Sequence, residues 1–569
     1  MAKCIYVCSR KELPEHCHSD LSKICTGIAP DNIHNKAPKI HIGKKVAYGV
    51  VNPVDSIAYQ GDCLMLGALY GDGEDWQVPG TSFPDGSFSI YRSDEHQCEF
   101  VSDVAGSRTI WYYYDDELFI GSNSQRAIVM YLGTFVFNAE VIPWVLSTGT
   151  LGPESGWDTR IHRVPADGSV LLDRNDWTLR THVNPAVFKA NRLSEGENKT
   201  RLFESLDQTF GNLHLNFKKW RLPLSGGYDS RGILQFLLRN VDESNHLTAI
   251  TWGLESSLEE EGNDAFIAKQ LAAHYGIAHT YFHTDLSNEP LEVIFGRFFH
   301  LGEGRTDHIS GYMDGFRIWK TLFENGIEGI IRGDEGFGWL PTPSELYVRH
   351  TTGISLCSDF ANLKDYRKFG LRKQQVPAGL KRRRGESLAS WRDRLYHEFR
   401  LPVLIAGLTD LKVAYVEQIC PLLSKRTLSV IREVPDQLRT NKSLFKDVLA
   451  DLNVNIPYAT SDAIADPGNI LKSENAVRLL REYLGGEHLR ELFDPSFLER
   501  IRSNLTVAKP KVPGTENRKR NKRRLPVPGF VKSFIRRFYL PQASSNVLAF
   551  RIYLIGNMSQ MLNKDTTLL

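Results

Sequence analysis

Arg221–Asn240 reads RLPLSGGYDSRGILQFLLRN. An apolar strand ends at Leu224, Gly226 and Gly227 follow Ser225, and an apolar helical run opens near Ser230. Paired glycines permit positive φ and close backbone approach. A helix start leaves free N–H groups and the positive end of the helix dipole facing the loop. The stretch is therefore either a phosphate cradle or an ordinary strand-to-helix turn. Asp229 bears on the choice. A carboxylate repels naked phosphate but suits a divalent cation that bridges phosphates, and hard oxygen ligands favour Mg²⁺. Ser225 and Ser230 add hydroxyl donors. The string S-G-G-x-D-S is neither the lysine-bearing loop G-x-x-x-x-G-K-S/T nor the dinucleotide fingerprint G-x-G-x-x-G.

The sequence alternates on both sides of the loop. An amphipathic helix is predicted from about Thr200 to Phe217, with Leu202, Leu206, Phe210 and Leu213 on one face. Downstream, HLTAITWG, AHTYFH and GIEGIIRG read as strands. NDAFIAKQLAAHYG and EPLEVIFGRFFHLG read as helices, the first with Asn263 as N-cap and Gly276 just past its end. Strands joined by helices of this length predict a parallel, doubly wound sheet. Upstream, residues 40–185 are short runs rich in β-branched and aromatic residues, separated by Gly, Asp, Asn and Ser turns, and predict a mostly β domain. Asn184–Thr200 is polar and without period, which marks a linker. The chain beyond about Thr342 reads as mainly helical.

The whole chain sets wider bounds. Its 569 residues are too many for one ordinary core, and its net charge of +2 does not mark a nucleic-acid binder. No apolar run is long enough to span a bilayer and the N-terminus turns charged too early for a secretory signal, so the expected location is cytoplasmic. Eight cysteines are too sparse for a disulfide framework. Four of them, Cys4, Cys8, Cys17 and Cys25, lie near His16 and His18, but no C-x-x-C pair is present. Two basic clusters stand out, KRRR at Lys381–Arg384 and the Pro- and Gly-containing run over residues 509–524. The second reads as a surface loop, with binding of an acidic peptide or nucleic acid as the functional alternative.

LSGGYDS resembles the pyrophosphate loop of the ATP pyrophosphatase superfamily. Six further segments make the chain similar to the asparagine synthetase family: RGDEGFGW (Arg332–Trp339), VEQICPLLSK (Val416–Lys425), KSLFKDVL (Lys442–Leu449) and the first-domain segments DVAGSRTIWYY, FIGSNSQRAI and WDTRIHRVPADGSVLL. In type it is nearest the glutaminase-deficient relatives, β-lactam synthetase and the lasso-peptide macrolactam cyclases. The resemblance implies an α+β N-terminal glutaminase-like (Ntn-type) β-sandwich domain over residues 1–185, a linker over 186–200, and a synthetase domain over 201–569. The last would be an α/β doubly wound parallel sheet of the ATP pyrophosphatase type with a helical C-terminal part. ATP and Mg²⁺ are the implied cofactors. Leu224, Ser225, Gly226, Gly227, Asp229, Ser230, Trp252 and Gly333 are the implied ATP-binding residues. Asp229 and Asp334 are the implied metal ligands, Lys446 the implied catalytic lysine with Lys442 competing for the role, and Glu417 the candidate base.

The sequence departs from that pattern in three places. Position 2 is Ala, where glutamine-dependent members carry a nucleophilic cysteine, and Cys4 comes two residues late. Ile331 stands where relatives carry Glu or Tyr, and Arg231 where Ser is common. The expected activity is an ATP-dependent, AMP-forming carbon–nitrogen ligase that adenylates a carboxylate and couples it to an amine without glutamine hydrolysis. Its sharpest form is a lasso-type macrolactam cyclase in natural-product maturation, acting on a precursor peptide alongside a leader-peptide-processing partner. The alternatives are a ligase for a small carboxylate or a cell-surface polysaccharide, and a catalytically idle scaffold. Neither membrane nor nucleic acid is an expected partner.

Overall fold

The computed structural model describes residues 3–71, 73–240, 246–284, 287–452, 454–464, 467–508, 540 and 542–569. Residues 1–2 and the basic run over 509–524 lie outside the described residues.

The N-terminal part is a sandwich of two six-stranded antiparallel sheets. Its strands are β1 (Cys4–Ser9), β2 (Lys39–Ile42), β3 (Val46–Val50), β4 (Ala58–Gln60), β5 (Cys63–Leu69), β6 (Gly86–Ser93), β7 (Gln97–Ser102), β8 (Trp111–Tyr114), β9 (Leu118–Ser122), β10 (His162–Arg163), β11 (Gly168–Asp173) and β12 (Thr178–Val183). One sheet runs β10-β8-β9-β1-β3-β2 and the other β12-β11-β7-β6-β5-β4. Alternate side chains of a strand face opposite ways, so one set from each sheet meets in the middle. There Phe100 stacks on Phe119 at 4.1 Å and Tyr6 on Tyr91 at 5.6 Å between ring centres. The outer face of the first sheet is covered by helices Cys17–Gly27 and Gln125–Leu132. Sequence reading begins the strands near residue 40. It misses β1, whose CIYVCS is buried throughout and carries no alternation to betray a strand.

The second half is built on a five-stranded, wholly parallel sheet: β13 (Trp220–Pro223), β14 (Thr248–Gly253), β15 (Ala278–His283), β16 (Gly329–Ile331) and β17 (Glu417–Ile419), in the order β15-β14-β13-β16-β17. Helices Tyr228–Asn240, Asp264–His274, Leu291–Gly302 and Arg317–Glu324 lie in its crossovers. The chain leaves β13 toward β14 and β15, then returns to the other side of β13 for β16. Ligands of open α/β sheets bind where the order reverses in this way, outside the carboxyl ends of the strands. The loops after β13 and β16 both open there.

The helix before β13 is Glu195–Gly211, five residues earlier than its periodicity suggests. Ser194 accepts from the Glu197 N–H at 3.3 Å while Glu197 accepts from the Ser194 N–H at 2.7 Å. This capping box fixes the start inside the segment assigned to the linker. Asn263 caps its helix as expected, accepting from the Ala265 N–H at 3.0 Å.

The two halves share a core. β17, the edge of the parallel sheet, is covered by β5 and β6, and the Cys420 N–H reaches Tyr70 Oη at 3.1 Å and Ser87 Oγ at 3.0 Å. Covering an edge strand removes a row of open backbone groups. The C-terminal helix Ser545–Asp565 returns to the sandwich, where Arg126 pairs with Asp565 at 2.8 Å. Among the described residues no helix is long and apolar enough to cross a membrane.

Candidate active site

A cleft of about 450 Å³ lies at the carboxyl edge of the parallel sheet, lined by Leu224, Ser225, Asp229, Ser230, Thr251, Trp252, Asp264, Arg332, Gly333, Asp334 and Asp462. The loop after β13 forms one wall. The Gly226 N–H donates to Asp264 Oδ1 at 3.1 Å and the Gly227 N–H to Ser225 Oγ at 3.2 Å. The Ser225 N–H donates to Ser230 Oγ at 3.0 Å. These bonds hold the turn in shape and bring Asp229, in the first turn of its helix, to the cleft. Gly226 is required by packing, because an added Cβ would lie 2.6 Å from the Ala459 Cβ and 2.8 Å from that of Ile267. Gly333 lets the second loop come equally close, since its Cβ would sit 3.2 Å from the Ser230 nitrogen.

Arg231, the residue flagged as a departure, ties another segment over this loop. Its guanidinium donates to the carbonyls of Ile456 at 2.8 Å and Pro457 at 2.7 Å and lies 4.0 Å over the Tyr458 ring. The Ala459 N–H closes the contact on the Gly226 carbonyl at 3.0 Å.

The lysine that meets the acidic residues is Lys442. Its ammonium lies 2.9 Å from Asp229 Oδ2 and 2.9 Å from Glu335 Oε1. Lys446, the expected catalytic lysine, donates instead to Asn441 Oδ1 at 3.1 Å and lies 4.9 Å over the Tyr228 ring. The difference is set by the backbone. Asn441 (φ 61°, ψ 22°) and Lys442 (φ 56°, ψ 33°) are both left-handed and kink the chain ahead of helix Ser443–Ala450. A periodic reading of KSLFKDVL carries the helix through both lysines. Consecutive left-handed residues without glycine are costly and concentrate at functional sites.

Charge around the cation follows from burial. Withdrawal from solvent pushes the Asp229 carboxyl up; Lys442 pulls it down and Asp334 pushes it further up, leaving it above its ordinary value. Burial also raises Glu335, against the pull of Lys442. Lys442 loses hydration, but its two carboxylate neighbours outweigh that and hold it charged. Burial would lift Asp334 as well, yet Arg332 and Lys412 outweigh it and keep the carboxyl below its usual range. Arg332 Nη2 lies 3.3 Å from Asp334 Oδ1, and Gln418 Nε2 donates to Oδ2 at 3.3 Å.

Of the predicted site residues, Leu224, Ser225, Asp229, Ser230, Trp252, Gly333 and Asp334 line one cleft. Gly226 and Gly227 shape its loop. Glu417 is not brought there. It alternates with Gln418 along β17, and its side chain turns to the sandwich, where Arg108 donates to it. Burial would raise its carboxyl, but Arg108 pulls it the other way, and it lies below the ordinary value. Ile331 is buried and apolar. Glu335, Arg332, Gln418, Asp264 and Lys412 escape sequence reading as separate site residues, because nothing in their spacing reveals which way each points.

In the first half, Cys4 is fully buried in β1, and its thiol donates to Asn123 Oδ1 at 3.4 Å. Burial pushes that thiol up to about 12, despite Tyr91, Arg108 and Asn123 around it. All eight cysteines are buried and unpaired with one another.

Comparison with known proteins corrects the family resemblance. No family model matches the chain, and no curated protein matches it. Solved structures do match, among them U34-tRNA thiolase NcsA from Methanococcus maripaludis with its 4Fe-4S cluster, over 55% of this chain and 84% of that chain at 13% identity and a TM-score of 0.20. The neighbour is not an asparagine synthetase, and so low a TM-score carries no argument about fold or chemistry. Membership of the asparagine synthetase family therefore has no support beyond short motifs, which a strand–turn–helix cleft can carry without common descent.

Proposed function

We propose that this protein is an ATP-dependent ligase that adenylates a carboxylate and couples it to an amine without hydrolysing glutamine. One observation carries the reading: Asp229, Asp334 and the serine–glycine loop meet in one cleft at the reversal point of a parallel sheet, with Lys442 paired to Asp229. A carboxylate oxygen attacks the α-phosphorus of ATP, the bond to the β-phosphate breaks, and pyrophosphate leaves. The amine nitrogen then forms the C–N bond, the acyl C–O bond to AMP breaks, and the amine proton passes to solvent.

The donor set suits Mg²⁺. Asp229 and Asp334 offer hard carboxylate oxygens, and among the described residues no group of three or more His, Cys, Asp or Glu is poised to hold a metal unaided. Mg²⁺ is commonly held by one or two carboxylates together with substrate phosphates and water. When bound, the ion supplies charge neutralisation for the departing pyrophosphate. Lys442 adds a fixed positive charge beside Asp229, and preorganised charge of this kind acts most strongly where charge develops in the transition state. Leu224 and Trp252 offer apolar surface for the nucleobase. The complete burial of the Cys4 thiol favours an amine nucleophile over glutamine hydrolysis.

Pyrophosphate released from ATP and Mg²⁺ with a panel of aliphatic and aryl carboxylates tests the reading. Carboxylate-dependent release is expected, with no ammonia from glutamine. Asp229→Ala is expected to abolish release while circular dichroism stays unchanged. If no carboxylate stimulates release, the ligase reading fails.

A further inference from the structure

A second cavity of about 430 Å³ opens beside the cleft and shares Trp252, Arg332, Asp462 and Ile464 with it. Its remaining walls include Trp319, Tyr312, His308 and Lys412. Trp252 meets Trp319 edge to face at 5.4 Å, which makes an aromatic corner. Two cationic side chains, Arg332 and Lys412, reach into the same space, and the Lys412 ammonium lies 5.7 Å from the Trp319 ring.

The donors here exceed their acceptors. Lys412 donates to the Leu408 carbonyl of its own helix at 2.6 Å and forms no ion pair with a described carboxylate. Arg332 Nε and the Trp319 indole Nε1 are buried and find no acceptor among the described residues. A buried donor without a partner costs free energy. Two cations, Arg332 and Lys412, lining one cavity call for a ligand with acceptor oxygens and negative charge. The aromatic corner calls for a flat or apolar body.

We infer that this cavity is the acyl-substrate site and takes a carboxylic acid with an aromatic or bulky apolar body, its carboxylate held by Lys412 and Arg332. The inference rests on the ligase reading, because the shared wall at Arg332 would set that carboxylate beside the nucleotide. Charged and titratable groups facing Lys412 are Arg332, Asp334, Cys420 and Asp410, with His308 in the cavity wall and Asp462 at its exposed mouth. Burial, helped by Arg332, lowers the Lys412 ammonium to about 7. Anion binding requires its protonated form, so affinity is expected to fall as pH rises through that value.

Calorimetric titration with 3-phenylpropionate, and with the neutral 3-phenylpropanol, tests the site without ATP. The acid is expected to bind the wild type at least tenfold more tightly than the alcohol, and at least threefold more tightly at pH 6.5 than at pH 8.5. Lys412→Met is expected to lose the preference for the acid and the pH effect while binding the alcohol unchanged. Trp252→Leu, at a half-buried position that threatens folding less, is expected to weaken both ligands. Equal binding of the acid by wild type and Lys412→Met overturns the inference, as does absence of acid binding at millimolar concentration. A pH effect that survives in Lys412→Met overturns the role of Lys412. Failure of pyrophosphate release with every carboxylate sinks the ligase reading and leaves these binding results standing, so the two failures are distinguishable.

Discussion

At the scale of residues, the site turns on which lysine meets the acids. Lys442 bridges Asp229 and Glu335, and Lys446 does not. Removing the bridge leaves two raised carboxylates facing each other without a cation and takes a positive charge from the phosphate region. Lys442→Met is therefore expected to lower the rate of pyrophosphate release by roughly 10²–10³-fold, the range seen when one preorganised electrostatic group is lost. Lys446→Met is expected to change it by less than about fivefold, within what a nearby surface charge contributes. Steady-state kinetics of both variants decides the matter, and the reverse ranking would restore Lys446. Sequence reading names both lysines and prefers Lys446, whereas the structure sets Lys442 against the acidic residues. The left-handed kink at Asn441 and Lys442 has no signature in a segment free of glycine.

Among the elements, the loop after β13 and the segment 456–459 act together. Gly226 permits their contact, and Arg231 holds it from the other side. Gly226→Ala would place a methyl inside the Ala459 and Ile267 contacts, and overpacking of this kind costs about 1–3 kcal/mol. The local segment should give way before the sheet does, because the clash is confined to the loop. Hydrogen exchange is expected to rise around residues 456–459 while the core strands stay protected, with pyrophosphate release reduced at least tenfold. Unchanged exchange there would mean that the segment does not rest on the loop. The glycine pair is plain in the sequence. The segment 456–459 that it packs against lies more than two hundred residues away, and no local pattern names it.

Over the whole molecule, the sandwich and the parallel sheet are joined by buried charge as well as apolar packing. Arg108 of the first half donates to Glu417 of the edge strand, with both side chains nearly inaccessible. Arg108→Met withdraws the guanidinium from a buried carboxylate, a change that typically costs about 3–5 kcal/mol. Urea unfolding is expected to show a loss of that order, with the edge at β17 the first to lose protection. A loss under about 1 kcal/mol would mean that the junction is held by its apolar contacts. The same ion pair explains why Glu417 does not serve the cleft: its charge is engaged by the first half.

The sequence by itself determined the local grammar of this protein. Strand–turn–helix at Leu224, the cap at Asn263 and the short strands of the first half are all legible, because periodicity and capping act over a few residues. Only the tertiary structure decided what meets what. It made β1 an interior strand of its sheet, set β17 against the sandwich, turned Glu417 toward Arg108, chose Lys442 over Lys446, and gathered Arg332, Lys412 and Trp319 around one cavity. Those choices depend on strand order and on which face each side chain takes. Both are fixed by burial of surfaces far apart in the chain, which short-range spacing does not encode.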